Sequence, residues 1–270
     1  IENVLKCYKP RPGVLGFALQ AYQKRAFWVI DYIAELAKKY NTKFNVRLVK
    51  GAYWDTEIKI AQELGLDYPV FTNKNCTDLS YVACAIKMKK HLDYIYPAFA
   101  THNPFTVMVI KGLYKRDEFE FQRLHGMGEG LHNVLVERGY KSRIYAPVGI
   151  YKDLLAYLVR RLLENGANTS FLNIQVVKNL FDATEYRWLG MSHTLLPTWK
   201  DIFSDRKNSK GLDITCPVTL NKLLEIDIEV PKQEEMRISD QSNQMDKGHE
   251  AFPGWSNTPV HERTKIIRTF

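Results

Sequence analysis

Cysteine is scarce and scattered in this chain of 270 residues. The four thiols are Cys7, Cys76, Cys84 and Cys216, with no CxxC and no histidine at metal-ligand spacing. That gives no disulfide framework and no sign of a zinc site, and it fits reduced thiols in a cytoplasmic protein. Long apolar runs are missing too. None approaches the roughly 20 residues of a membrane span, and the start does not read as a signal peptide. Neither a GxGxxG turn nor a Walker A loop follows any apolar run, which argues against a Rossmann or P-loop nucleotide site. No serine sits in a nucleophile elbow, so a Ser/His/Asp triad has no basis.

What is present is a composition of 45% hydrophobic and 25% charged residues, ordinary for a globular protein with a real core. The length allows one large domain or two smaller ones. The net charge of +8 permits an acidic partner, whether nucleic acid, an anionic membrane surface or a phosphate-bearing cofactor. The lysines and arginines are scattered, so the charge reads as a general surface property and not as a nucleic-acid footprint. The opening IENVLKCYKPRPG is not an initiator sequence, and the chain reads as an internal piece of a longer protein.

The first 175 residues alternate between two hydrophobic periods. Strand-like runs fall at 14–20, 44–49, 95–101, 119–124 and 143–147, with a short Pro-bounded segment at 68–72. Between them the spacing predicts helices over 22–40, 55–64, 77–91, 104–115, 129–137 and 151–165. In the first, Phe27, Ile30, Ile33, Ala34 and Ala37 share a face; in the third, Leu79, Val82, Ala83 and Ile86 do. About five strand–helix units in succession imply parallel strands joined by helical crossovers, an α/β fold. A (β/α)8 barrel and a doubly wound sheet are both compatible. The barrel is favoured because nearly every strand ends in polar or chemical residues, and barrels gather their sites there. Five units cannot close eight strands, so three would lie upstream. From 176 to 240 the pattern decays into an inter-domain connector with one or two short helices. Helical character returns over 241–270, where Thr258 and Pro259 read as N-cap and first helical position.

Three stretches carry chemistry. In VRLVKGAYWD (46–55), Arg47 sits inside an apolar strand and needs a partner, while Gly51 allows close approach to the backbone. The bland alternative is a strand-to-helix turn with a solvated lysine. In LLAYLVRRLLENG (154–166), Arg160 and Arg161 interrupt an apolar helix, with Tyr157 and Glu164 on the same side. They are either a solvated pair or a carboxylate clamp. In ATHN (100–103), a histidine at a strand end is more often structural than catalytic, although Thr101 and Asn103 suit a polar ligand.

Taken together, QAYQKRA (20–26), VRLVKGAYWD, PVFT with Lys74, SYVACA (80–85), ATHN, FEFQRLHGMGE (119–129), RIYAPVG (143–149) and LLAYLVRRLLENGANTSF (154–171) resemble the proline dehydrogenase barrel of the proline utilization A family. These bacterial enzymes fuse proline dehydrogenase to an L-glutamate γ-semialdehyde dehydrogenase. AFPGWSNTPVHER (251–263) resembles the start of an aldehyde dehydrogenase. The resemblance implies non-covalent FAD, with Arg47 as the catalytic residue near flavin N5 and Gln20 bonding the flavin. Lys50, Gly51, Ala52, Tyr53 and Trp54 would shape its pyrophosphate and adenine end, and Thr72, Lys74, Thr101, His102 and Gln122 complete the contacts. Arg160 and Arg161 would hold the carboxylate of L-proline, Tyr145, Tyr157 and Leu124 would wall its ring, and Glu164 would orient the arginines or the flavin.

It further implies electron transfer to a membrane quinone, a homo-oligomer, and a cytoplasmic protein peripherally associated with the inner membrane. DNA binding would belong only to a domain absent here. NAD would serve the downstream domain, whose site lies beyond Phe270. The family's substrate-amine lysine and flavin aspartate lie on earlier strands and have no counterpart in these residues. The competing readings are a single-function proline dehydrogenase and a non-catalytic basic module that binds DNA or membrane.

Overall fold

The computed structural model describes residues 1–8, 11–168, 193, 195–226 and 238–269, with side chains at 162–168, 238–242 and 269 outside that description. The expected barrel boundary at 175 and the side chain of Glu164 therefore lie outside the described residues.

Five strands form one sheet: β1 (Gly16–Gln20), β2 (Phe44–Val49), β3 (Ile95–Ala100), β4 (Glu120–Leu124) and β5 (Ser142–Tyr145). All four pairings are parallel, and the spatial order equals the chain order. A doubly wound sheet must reverse its strand order at a switch point, whereas a barrel adds each strand beside the last. The order therefore settles the choice left open by periodicity: this is a partial barrel sheet.

Its helices are α1 (Glu2–Cys7), α2 (Ala26–Lys39), α3 (Trp54–Glu63), α4 (Lys74–Lys89), α5 (Pro104–Leu113), α6 (Glu129–Glu137) and α7 (Tyr151–Asn168). Asn73 and Asn103 start α4 and α5 by accepting the backbone N–H groups of Asn75 and Thr106. Pro104 at the first turn of α5 costs no hydrogen bond there. Helix α7 continues past Asn165-Gly166, where the sequence predicts a stop, to Asn168.

Strand β2 shows how the layers divide. Phe44, Val46 and Leu48 are fully buried, while Asn45, Arg47 and Val49 face the other side of the sheet. The buried face packs with Ile30, Ile33, Ala34 and Ala37 of α2, as their spacing predicts. Phe27 does not join them; it is 37% exposed and lies under the Lys87 ammonium, 3.8 Å from the ring centroid. Helix α4 is also turned from expectation. Tyr81, Cys84, Ala85 and Met88 are its core residues, whereas Leu79, Val82 and Ala83 are half-buried and Ile86 is exposed. Apolar residues surround this helix, so periodicity alone could not choose the face.

A second cluster gathers Tyr22, Ile58, Ala61, Tyr68 and Val70, with Trp54 and Leu196 against it. Leu196 comes from residues 193–213, within the stretch expected to be connector. That segment is part of the first compact unit, Ile1–Asp213. Tyr68 accepts from Gln62 Nε2 at 2.8 Å and donates to the Pro197 carbonyl at 2.5 Å. The buried Trp199 donates to Asp67 at 3.3 Å, and Gly211 N–H donates to Gly65 at 2.9 Å. A Cβ on Gly211 would fall 1.6 Å from the Leu64 carbonyl oxygen, so only glycine permits this approach.

The second unit, Ile214–Phe270, contains α8 (Pro217–Leu224), α9 (Ile238–Asn257) and α10 (Val260–Thr269). Thr258 does not act as the expected N-cap. Its hydroxyl donates back to Gly254, and the Pro259 carbonyl accepts from Glu262 and Arg263.

Candidate active site

The C-terminal ends of the five strands, with the start of α3 and one face of α7, carry most of the expected site residues. Arg47 lies on the open face of β2. Its Nε donates to Gln122 Oε1 of β4 at 2.7 Å, and its guanidinium sits 5.5 Å from the Tyr145 ring centroid at the end of β5. The partner that a cation inside an apolar strand requires is thus a carboxamide and an aromatic face. Tyr145 meets Tyr157 of α7 at 6.5 Å, and Tyr157 lies 5.0 Å from the Arg161 guanidinium. Arg160, one residue away on α7, hydrogen-bonds the Tyr53 hydroxyl with its guanidinium 4.8 Å from that ring. Arg160 thus meets the tyrosine that follows β2, and Arg161 a tyrosine of its own helix.

Gly51 follows β2 with φ +141°, and a Cβ there would meet the Tyr22 ring at 2.4 Å. Backbone conformation and contact both demand glycine. Lys50 pairs with Asp78, a buried carboxylate in the first turns of α4. The solvated-lysine alternative is therefore wrong, and Asp78 gains a structural reason for its burial. Trp54 opens α3 and donates its indole N–H to the Phe71 carbonyl at 2.9 Å. Thr72 accepts the His193 backbone N–H at 2.8 Å, while Lys74 is exposed at the start of α4. Ala52 is exposed beside Gly51, and Gln20 ends β1 half-buried.

His102 is a structural histidine. Its Nε2 accepts the Leu124 backbone N–H at 3.2 Å, which puts the ring proton on Nδ1 and leaves the imidazole neutral. Burial, then His132, Arg123 and Arg161, hold its pKa down at about 4. Thr101 contributes its hydroxyl to the Asn103 N–H at 3.2 Å and its carbonyl to His132 Nε2 at 3.1 Å. Because a carbonyl can only accept, His132 carries its proton on Nε2, and Nδ1 takes the Ser142 hydroxyl at 2.8 Å. His132, 1% exposed, thereby ties the end of β3 to the start of β5.

The sequence reading missed His132, Asp78 and Glu120. Glu120 had a signal: an acid inside the apolar run FEFQRL needs a partner. It has two, Gln122 Nε2 at 2.6 Å and a bidentate Arg143 at 2.8 and 2.9 Å. These groups line a pocket of about 320 Å³ with Gly16, Ala18, Asn45, Arg47 and Ala98, on the sheet face away from the core.

The donor set suits a flavin. Arg47 offers charge, Gln20 an amide with no side-chain hydrogen bond among the described residues, and Lys50 retains two N–H donors beyond its bond to Asp78. Among the described residues no cluster of three or more His, Cys, Asp or Glu could hold a metal ion, and no helix is long and apolar enough to cross a membrane.

Comparison with known proteins points the same way. The Proline dehydrogenase family model matches residues 2–174. The bifunctional protein PutA of Klebsiella aerogenes is 46% identical over 239 residues, covering 77% of this chain and 18% of the relative. Proline dehydrogenase 1 of Bacillus subtilis is 32% identical over 169 residues, covering 61% of this chain and 49% of the relative. A crystal structure of a bifunctional proline utilization A protein superposes with a TM-score of 0.72 at 46% identity, covering 90% of this chain and 27% of that one. The chain thus spans about a fifth of the length of the PutA relatives it matches.

Proposed function

Since the chain belongs to the proline dehydrogenase family, we propose that its first unit supplies the C-terminal part of a site that oxidises L-proline to pyrroline-5-carboxylate. The observation that carries this reading is the convergence of Arg47, Tyr145, Tyr157 and Arg161 at one end of a parallel barrel sheet. FAD held by these residues would supply the two-electron oxidant for hydride from proline C5, with a membrane quinone as the final acceptor.

The protein's own residues do the positioning. Arg160 and Arg161 grip the proline carboxylate, each hydrogen bond to a charged group being worth roughly 1.5–3 kcal/mol. Tyr145, Tyr157 and Leu124 hold the pyrrolidine ring so that C5 points into the site. Arg47 places positive charge where negative charge grows as the flavin is reduced. Gln20, Lys50, Gly51, Ala52, Tyr53, Trp54, Thr72, Lys74, Thr101, His102 and Gln122 make up the remaining cofactor wall, His102 through its hold on the Leu124 backbone. Hydride would leave C5 for the cofactor as the nitrogen's electron pair closes the C=N bond and its proton passes to solvent.

In this reading the chain is a segment of a bifunctional protein. The second unit then begins an aldehyde dehydrogenase domain that uses NAD to oxidise glutamate semialdehyde. The PutA relative aligns over 77% of the chain and the single-function enzyme over 61%, which supports that choice. Homo-oligomerisation and peripheral membrane attachment during turnover belong to the same proposal.

The test is a visible absorption spectrum of the purified protein before and after L-proline without oxygen. A flavin spectrum that bleaches is the expected result. Arg160→Met combined with Arg161→Met should abolish bleaching while flavin stays bound. Equal loss of flavin in the double variant would sink the clamp assignment.

A further inference from the structure

Glu120 and Gln122 stand two residues apart on β4 and so share its face, which is the face of Arg47. Their order of contacts is directional. Glu120 can only accept, so it fixes the Gln122 amide with its NH2 toward the carboxylate and its oxygen toward Arg47. That oxygen then receives the Arg47 Nε–H at 2.7 Å, and the Tyr145 ring covers the guanidinium. Glu120 is itself held by the bidentate Arg143 of β5. A carboxamide free to rotate would offer Arg47 either a donor or an acceptor, and the donor would repel it.

We infer that Glu120 is a positioning residue that sets the Gln122 amide and, through it, the orientation of the Arg47 guanidinium at the reacting end of the site. The inference rests on the proposed proline oxidation for its catalytic consequence, but the relay itself is a property of the apoprotein. The Glu120 carboxylate is taken up by Gln122 and Arg143, so it acts through them. Its effect falls on the step that Arg47 assists and not on the carboxylate grip of Arg160 and Arg161, which belong to α7. Arg143 closes the far end of the relay, so β4 and β5 together hold one side chain of β2 across the intervening β3.

Two variants test this, Glu120→Gln and Gln122→Met. The first keeps shape and frees the amide; the second removes the amide and keeps the carboxylate. The first readout needs no flavin: exchange of the Arg47 Nε–H proton with solvent, followed by 15N NMR. Both variants should raise that rate about tenfold, the loss of one hydrogen bond to a charged group. The second readout is kinetic, on the protein with FAD bound. The kcat for L-proline should fall about tenfold with KM within about twofold, because the carboxylate contacts are untouched. Unchanged exchange at Arg47 in a folded variant overturns the relay. So does a KM that rises in step with the fall in kcat. If Glu120→Gln does not fold, Gln122→Met carries the test with the same expectations. Faster exchange in a protein that never binds FAD would uphold the relay and reject the proposed function.

Discussion

At the scale of single residues, His102 links structure to pH. Its folded pKa of about 4 lies below the ordinary 6.5, so between these values the unfolded chain binds more protons than the folded one. Stability contributed by neutral His102 is complete above 6.5 and is lost as pH falls toward 4. His132, lowered mainly by burial, acts in the same direction. Asp31, lowered by Lys87, loses its contribution only below its ordinary 3.8, outside that window. Urea unfolding at pH 7 and pH 5 should show a weaker fold at the lower pH. His102→Gln, which can still accept the Leu124 N–H, should flatten the difference; an unchanged slope would reject the assignment. Arg47 was legible as a residue in need of a partner, and the arginine pair as either a solvated pair or a clamp. Which partners they take was not, because a carboxamide on β4 and a tyrosine on β5 meet β2 only through the sheet.

At the scale of elements, alternation of periods was enough to place the strands and most helices, but α4 starts at Lys74, capped by Asn73, three residues before the expected 77. Rotation of α4 was not legible, since apolar side chains occupy more than one side of it. Residues 195–213 have no period and so read as connector; Trp199, Leu196 and Gly211 pack there against α3 and the loop after it. A clamp made by residues 129 positions apart, as between Tyr68 and Pro197, leaves no local signal. Trp199→Ala should weaken it by about 3 kcal/mol, the low end for a buried indole. Hydrogen exchange should then rise across 193–213 and 64–72 while β2 and β3 keep their protection. Uniform loss of protection would mean the clamp does not act locally.

At the scale of the whole molecule, sequential parallel order leaves β1 and β5 each paired on one side only among the described residues. Such strands offer unpaired N–H and C=O groups, and β5 adds the exposed side chains of Ile144 and Tyr145. Purified alone, the 270-residue chain should associate increasingly with concentration in light scattering, and Ile144→Lys should reduce that association. A monodisperse monomer at every concentration would contradict this. Strand order was the one architectural feature that composition and periodicity left undecided. The C-terminal clustering of polar residues nonetheless favoured the arrangement found, since a barrel places all its strand ends around one rim.

The order of strands also sets a history for the chain. Each strand needs only its predecessor to pair, so the sheet can grow in the direction of synthesis, one βα unit at a time as the chain leaves the ribosome. The clamp over 193–213 obeys no such rule; it must wait until most of the sheet stands and then return to α3. What is added last contributes little to the barrier for forming the structure and much to the barrier for leaving it. In stopped-flow experiments Trp199→Ala should therefore unfold faster and refold at an unchanged rate, marking the clamp as a timer on the lifetime of the fold.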